Sequence, residues 1–189
     1  LKGNKIDETQ MGLNGRINDT LDFIFDEVKS SKRIIDDERD ITKFNNNCTF
    51  PEDGEFLFGI RIPNQILVKT DYEPSGDQLN LNQVECPIVY SLRESLEGEK
   101  SPYSLIRYGP QYDASGYYVS PSYLQFQETV LLEGITSITE YEKINCPSGW
   151  GNIQTIKGIS FCIDQFKKAI ELQIEAGDPQ LLGVNKNIK

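Results

Sequence analysis

The chain has 189 residues, a net charge of −10 and no histidine, with 38% hydrophobic and 25% charged residues. That size and balance give one globular domain with a core of its own, and the acidic surplus argues against nucleic acid as a partner, because phosphate binding needs a basic surface. The lack of histidine removes Ser-His-Asp and Cys-His catalysis, HExxH zinc sites and an imidazole base, so no catalytic, cofactor-binding or metal-ligating residue is assigned.

Residues 15–31, GRINDTLDFIFDEVKSS, carry Ile17, Leu21, Ile24, Phe25 and Val28 at offsets 0, 4, 7, 8 and 11. That is the period of a helix with one buried face. Arg16, Asn18, Asp22, Glu27 and Lys29 suit its solvent side. The stripe continues upstream through Leu13 and Met11, weakened at Gly12 and Gly15 by about 1 kcal/mol each relative to Ala. The helix is predicted from about Lys5 to Ile34 or Ile35, with Leu21, Ile24, Phe25 and Val28 facing a sheet. No initiator Met or signal-peptide apolar core is present, so Leu1 reads as a processing boundary. No apolar run approaches the ~18 residues that span a bilayer.

The run DDERD (36–40) begins a polar connection. Its Asp36, Asp37, Glu38 and Asp40 offer oxygens that suit calcium, but without EF-hand spacing or glycine the run reads as a solvated loop. Residues 44–55 are turn-rich. The period then falls to 2. Residues 55–62 and 64–70 read as strands of a hairpin joined at Pro63-Asn64, 71–85 as a long polar loop, and 86–93 with 101–109 as a second hairpin turning at Gly98. Residues 110–123 form a loop with Tyr112, Tyr117, Tyr118 and Tyr123. An aromatic face with a hydroxyl suits contact with carbohydrate or protein; the alternative is a loop folded back over the sheet. Residues 129–142, with Leu132, Ile135 and Ile138, read as a strand bent at Gly134. Residues 143–162 read as irregular, with Trp150 as a loop anchor. In 167–179, Ile170, Leu172 and Ile174 alternate with Glu171, Gln173 and Glu175, which favours a strand near a sheet edge over a helix through Phe166. The tail from Leu181 is expected to fray.

Cys48, Cys86, Cys146 and Cys162 are even in number, widely spaced and without a CxxC pair. Two disulfides fit better than a metal site, and they imply an oxidising compartment: periplasm, cell surface or medium. Three connectivities are open; Cys48–Cys86 with Cys146–Cys162 is chosen because each closes a local loop. Residues 1–35 are thus an amphipathic helix and 36–189 a β-rich head, together one domain. A helix followed by about six or seven antiparallel strands, without βαβ alternation, is α+β.

Several stretches, in this order, resemble the type IV pilin and pseudopilin family, and within it the J-type minor pseudopilin of type II secretion. INDTLDFIFDEVKSSKRI (17–34) is similar to the amphipathic half of the family's helix. IVYSLRESLEGEKSPYSLIRYGP (88–110) is similar to its central hairpin, which couples a Tyr-containing strand to an Arg-containing return. TVLLEGITSITEYE (129–142) and KKAIELQIEAG (167–177) resemble its later strands. The resemblance implies a long helix packed on an antiparallel sheet, with Ile17, Leu21, Ile24, Phe25 and Val28 on the assembly helix. It implies a structural rather than an enzymatic role in a secretion pseudopilus, an adhesive pilus or a DNA-uptake pilus, with no cofactor. The implied partners are other minor pilin or pseudopilin subunits and the inner membrane, reached through a segment preceding Leu1. The implied location is periplasmic or cell-surface, the full-length form being anchored in the inner membrane before assembly. Two other readings come from the residues: an extracellular adhesive or ligand-binding domain using the Tyr-rich loop, and a secreted glycoprotein using the triplets at Asn18 and Asn47. Asn18, on a helix, is a poor acceptor.

Overall fold

Helix α1 (Lys2–Ser30) opens the computed structural model, which describes residues 2–41, 50, 51, 53–61, 86–94, 103–112, 126–136, 146–151, 154–164, 166–174 and 176, with side chains from 11 onward. The helix ends earlier than its apolar pattern predicts. The hydroxyls of Ser30 and Ser31 donate to the carbonyls of Glu27 and Val28 at 2.9 and 2.7 Å, satisfying groups that the last turn leaves open. Residues Arg33–Ile35 are instead strand β1, and Ile34 and Ile35 point to opposite sides of a sheet, into separate apolar clusters. Within the expected polar connection, Glu38–Ile41 makes a one-turn helix, α2. The Asp37 carboxylate accepts the Arg39 amide at 2.9 Å at its start, and Ile41 is buried.

Strands β2 (Glu55–Arg61), β3 (Ile88–Glu94), β4 (Tyr103–Gly109) and β5 (Gln127–Ile135) join β1 in one antiparallel sheet ordered β1-β2-β3-β4-β5. The hairpin expected from 86–93 and 101–109 is β3 with β4, in register from Val89↔Tyr108 to Glu94↔Tyr103. The hairpin expected between 55–62 and 64–70 is not how 55–61 pairs: the two neighbours of β2 are β1 and β3. The run 64–70 itself, the loop 71–85, Gly98 and Ile138 lie outside the described residues. In β2, Phe56 pairs with Ser91 and Phe58 with Tyr90, so Leu57 is an extra residue. Such a bulge turns neighbouring side chains to the same face, and Leu57 and Phe58 both enter the core. Strand β5 carries two further extras opposite β4, Leu131 and Gly134. Gly134 sits at φ 86°, a conformation open to glycine at little cost, so the bend read from the sequence is there.

Strands β6 (Gln154–Ile156), β7 (Ile159–Ile163) and β8 (Ile170–Ile174) form a second antiparallel sheet, ordered β6-β7-β8. Residues 143–162 are therefore not simply irregular. Lys157 and Gly158 make a two-residue turn, with Lys157 at φ 54°, that sets Ile156 opposite Ile159. The strand expected within 167–179 is β8, at one end of this sheet.

The chain is α+β: one N-terminal helix and antiparallel sheets. Ile17, Leu21, Ile24 and Val28 of α1 share one core with Ile60, Ile88 and Leu105 of the larger sheet and Ile159, Phe161 and Ile174 of the smaller. Phe58 links the sheets, stacking on Tyr90 at 4.7 Å and reaching Phe161 at 5.9 Å between ring centres. On the opposite face of the larger sheet, Ile35, Phe56, Val89 and Tyr108 form a second cluster with Ile41 of α2 and Phe50. Hence β3 is buried on both faces along Ile88–Leu92.

Candidate functional site at the helix–sheet junction

Register places Phe58, Tyr90, Arg107 and Thr129 as successive partners across β2, β3, β4 and β5. The Tyr90 and Arg107 side chains come together with Glu27 of α1. Glu27 and the Arg107 side chain are each almost wholly buried, at 2–3% exposed. Arg107 Nη2 donates to Glu27 Oε1 at 2.6 Å and Nε donates to Oε2 at 3.0 Å. The Tyr90 hydroxyl donates to Oε2, and the Tyr112 hydroxyl to Oε1 at 2.5 Å. Arg107 Nη1 donates to the Pro110 carbonyl at 2.9 Å, which fixes the chain just after β4. Phe23 and Tyr112 meet edge to face at 5.7 Å, and the guanidinium lies 5.7 and 5.4 Å from their ring centres. Gly109 makes room for this: a Cβ there would come within 3.0 Å of Ile88 Cγ1 and 3.2 Å of Arg107 Cζ. Two turns up the helix, the Thr20 hydroxyl donates to the carbonyl of Leu131, a bulge residue of β5, at 3.1 Å.

Burial alone would favour loss of the Arg107 charge; the hydrogen bonds and charge of Glu27 outweigh it and raise the pKa further. Tyr90 is held well above its ordinary range, first by burial and then by the charge of Glu27. A carboxylate taking donors from an arginine and two tyrosines has no lone pair in position to take a proton from a substrate. The cluster is a latch between helix and sheet. Such a pair is strongly destabilising to break, because it leaves a buried charge without its partner.

Sequence reasoning set Glu27 on the solvent side, and the structure reverses that. It also reverses Phe25, which is 48% exposed while Ile17, Leu21, Ile24 and Val28 are buried. Helical rotation gives the reason. With Ile24 at the centre of the buried arc, Glu27 lies about 60° to one side and Phe25 about 100° to the other. The contact arc is tilted toward Thr20 and Glu27 because Arg107 has to be met there. A signal was present: Thr20 and Glu27 are seven residues apart, in step with Ile17, Ile24, Leu21 and Val28.

Tyr112 does not stand ready for a ligand; its hydroxyl is committed to Glu27 and its ring packs against the core. Tyr117, Tyr118 and Tyr123 lie outside the described residues. Cys146 and Cys162 form the expected disulfide, with Cα atoms 5.7 Å apart. Cys86 is also disulfide-bonded; its predicted partner Cys48 lies outside the described residues, as does the triplet at Asn47. In the Asn18 triplet, Thr20 is buried with its hydroxyl engaged. In the acidic run, Asp36 pairs with Lys167 and Asp37 with Arg39. Trp150 is half-buried and bridges to Asp164, as an anchor would. Among the described residues no group of three or more Cys, Asp or Glu is arranged to hold a metal, and no helix is long and apolar enough to cross a membrane.

Two smaller polar sites stand apart from the latch. Arg93 pairs with Asp53 at 2.8 Å and Glu128 at 2.7 Å, and its hydrogen bond holds Glu128 below the usual carboxylate range. Asp164 accepts the amides of Phe166, Lys168 and Ala169. Burial would raise its pKa, but these amides outweigh burial and lower it. No protein-family model, curated protein or solved structure gives a significant match to this chain.

Proposed function

We propose that the chain is a structural subunit, a minor pilin or pseudopilin, of a type IV pilus-like or type II secretion filament. The observation that carries this reading is the uneven covering of α1. Its 29 residues extend about 43 Å, whereas the part from Ile17 to Ser30 extends about 21 Å, close to the ~23 Å of a seven-residue strand. Upstream of Ile17 the covering thins, although Leu13 still packs against the core. Met11 is 65% exposed, and a Cβ added at Gly12 or Gly15 would meet nothing within 4 Å. A helix anchored by a saturated ionic latch near one end and more open around Met11 to Gly15 is suited to carry a load between a head and other helices. On this reading the part upstream of Ile17 packs among the helices of neighbouring subunits, the chain performs no chemistry, and it works in the periplasm or at the cell surface after release from the inner membrane. The Cys146–Cys162 disulfide is in keeping with such a compartment.

A photo-crosslinking amino acid at Met11 tests this in the full-length protein expressed with its neighbouring genes. The expected products join Met11 to other pilin-like subunits. A Met11 probe that links only to its own head, in protein that is folded and membrane-associated, defeats the reading.

A further inference from the structure

The turn between β7 and β8 is built with unusual care for one that ends in an exposed aromatic ring. Asp164 takes three backbone amides. Its own amide donates to the Ala169 carbonyl at 3.0 Å, and the Lys167 amide donates to the Asp164 carbonyl at 2.9 Å. The Ile34 amide donates to the Lys167 carbonyl at 2.7 Å, which pins the turn to β1. Lys167 is held at φ 55°, a left-handed conformation that a residue with a Cβ adopts only at a cost. Yet Phe166, at its tip, is 72% exposed, more than any other large hydrophobic residue among those described. A preorganised turn that holds an aromatic ring in water has the properties of an interface anchor.

The charge around the ring runs against that of the molecule. Lys167 pairs with Asp36; Lys168 is exposed, its ammonium reaching the Lys32 carbonyl and its charge also acting on Asp164, and Arg33 is exposed nearby on β1. The exposed side of α1 offers the complement. Phe25 stands there with Asp22 and Asp26 beside it and Asp19 one turn on, and among the described residues none of the three aspartates has an ion-pair partner; Lys29 is the neighbouring cation.

We infer that the β7–β8 turn docks on a second copy of this chain, with Phe166 against Phe25 and Lys168 against Asp22 and Asp26 of α1. The inference goes beyond the filament reading and does not need it. Two rings and a charged rim make a small interface, in the size class of transient contacts. The contact is therefore weak between free copies and becomes effective when other contacts already hold the copies together, at effective concentrations of about 1 mM.

A zero-length carbodiimide cross-linking experiment at about 1 mM protein, on an equal mixture of ¹⁴N- and ¹⁵N-labelled chains, reads the contact directly. The expected product is a mixed-isotope peptide pair joining Lys168 to Asp22 or Asp26. Phe166→Ala and Phe25→Ala should each lower its yield about tenfold, and both sites are exposed enough to leave the fold intact. A mixture of Lys168→Glu with Asp22→Lys/Asp26→Lys should recover association by sedimentation, since each variant supplies what the other lacks. Absence of mixed-isotope products at Lys168, or no loss in Phe166→Ala, overturns the inference. So does binding of the wild type to phosphatidylglycerol vesicles that is lost in Phe166→Ala, which would assign the turn to a lipid surface.

Discussion

The two sheets are held in the molecule by different chemistry. The five-stranded sheet has four strands of seven to nine residues, buries one of them on both faces, and holds α1 through an ionic latch. The three-stranded sheet has strands of three to five residues, is stapled by a disulfide to the segment that precedes it, and is tied to the larger sheet and its flank by its two turns. At one turn Lys157 lies 4.1 Å from the Tyr103 ring centre and 3.3 Å from Glu55; at the other Lys167 pairs with Asp36. Both lysines have positive φ, where glycine would be easier. The side chain is the reason: each reaches an element of the larger sheet or its flank. A large sheet can surround a buried charge pair with enough neighbours to satisfy it. A small one buries too little surface to hold its place without added ties.

The sharpest way to break this contrast is to cut each attachment. Glu27→Ala should cost about 3–5 kcal/mol in a denaturant melt, since it strands the buried Arg107. The double replacement Glu27→Leu/Arg107→Met should cost much less than the two single losses added, which a double-mutant cycle would reveal. Opening the Cys146–Cys162 ring, with a separation of 16 residues, should cost about 3 kcal/mol. Hydrogen exchange should then rise in β6–β8 first, leaving α1 protected. Equal loosening of α1 would mean that the two attachments form one unit.

The apolar stripe of α1, the β3–β4 hairpin, the bend at Gly134 and strand β8 were legible because each rests on local periodicity or on a residue with special backbone freedom. The latch was not. Glu27 and Arg107 are 80 residues apart, and nothing near either one in the chain announces the other. Phe25 misled for the opposite reason: it is apolar and close to the stripe, and only the position of Arg107 decides that the helix turns it outward. The β6–β7 hairpin was missed because β6 is three residues long, too short to display a period. Its signal was the two-residue Lys157-Gly158 turn between isoleucines.

Smaller effects sharpen the contrast further. Tyr112→Phe removes one hydrogen bond to a charged acceptor and should cost about 1.5–3 kcal/mol, with thermal melts as the measure. The pH limits should differ between the regions. The folded pKa of Tyr90 is raised, so its contribution is complete below the ordinary tyrosine value near 10 and is lost as pH rises through the folded value. The folded pKa of Asp164 is lowered, so its contribution is present above the ordinary value near 3.9 and is lost as pH falls through the folded value. Alkali should therefore loosen the junction with α1, and strong acid the β7–β8 turn; Tyr90→Phe should flatten the alkaline limb. Last, Phe25→Ala should change stability by no more than about 0.5 kcal/mol, as an exposed substitution does. A loss of the size expected for a buried aromatic, about 3–5 kcal/mol, would restore the orientation that the stripe alone predicts.

The two extra residues of β5 have a consequence for aggregation. As an end strand of the five-stranded sheet, β5 is exposed over Gln127–Val130, and Val130 is 53% exposed. A long, flat strand in that position is a template onto which another unfolded chain can add. The bulges at Leu131 and Gly134 break the even spacing that an incoming strand must match, and the Leu131 carbonyl already serves Thr20. Glu133 sets a negative charge and the Glu128–Arg93 pair a charged cluster along the same strand. The irregularities that let the helix seat on the sheet also keep its rim from growing into fibrils. Replacing Gly134 by valine would then harm solubility on storage as much as it strains the backbone.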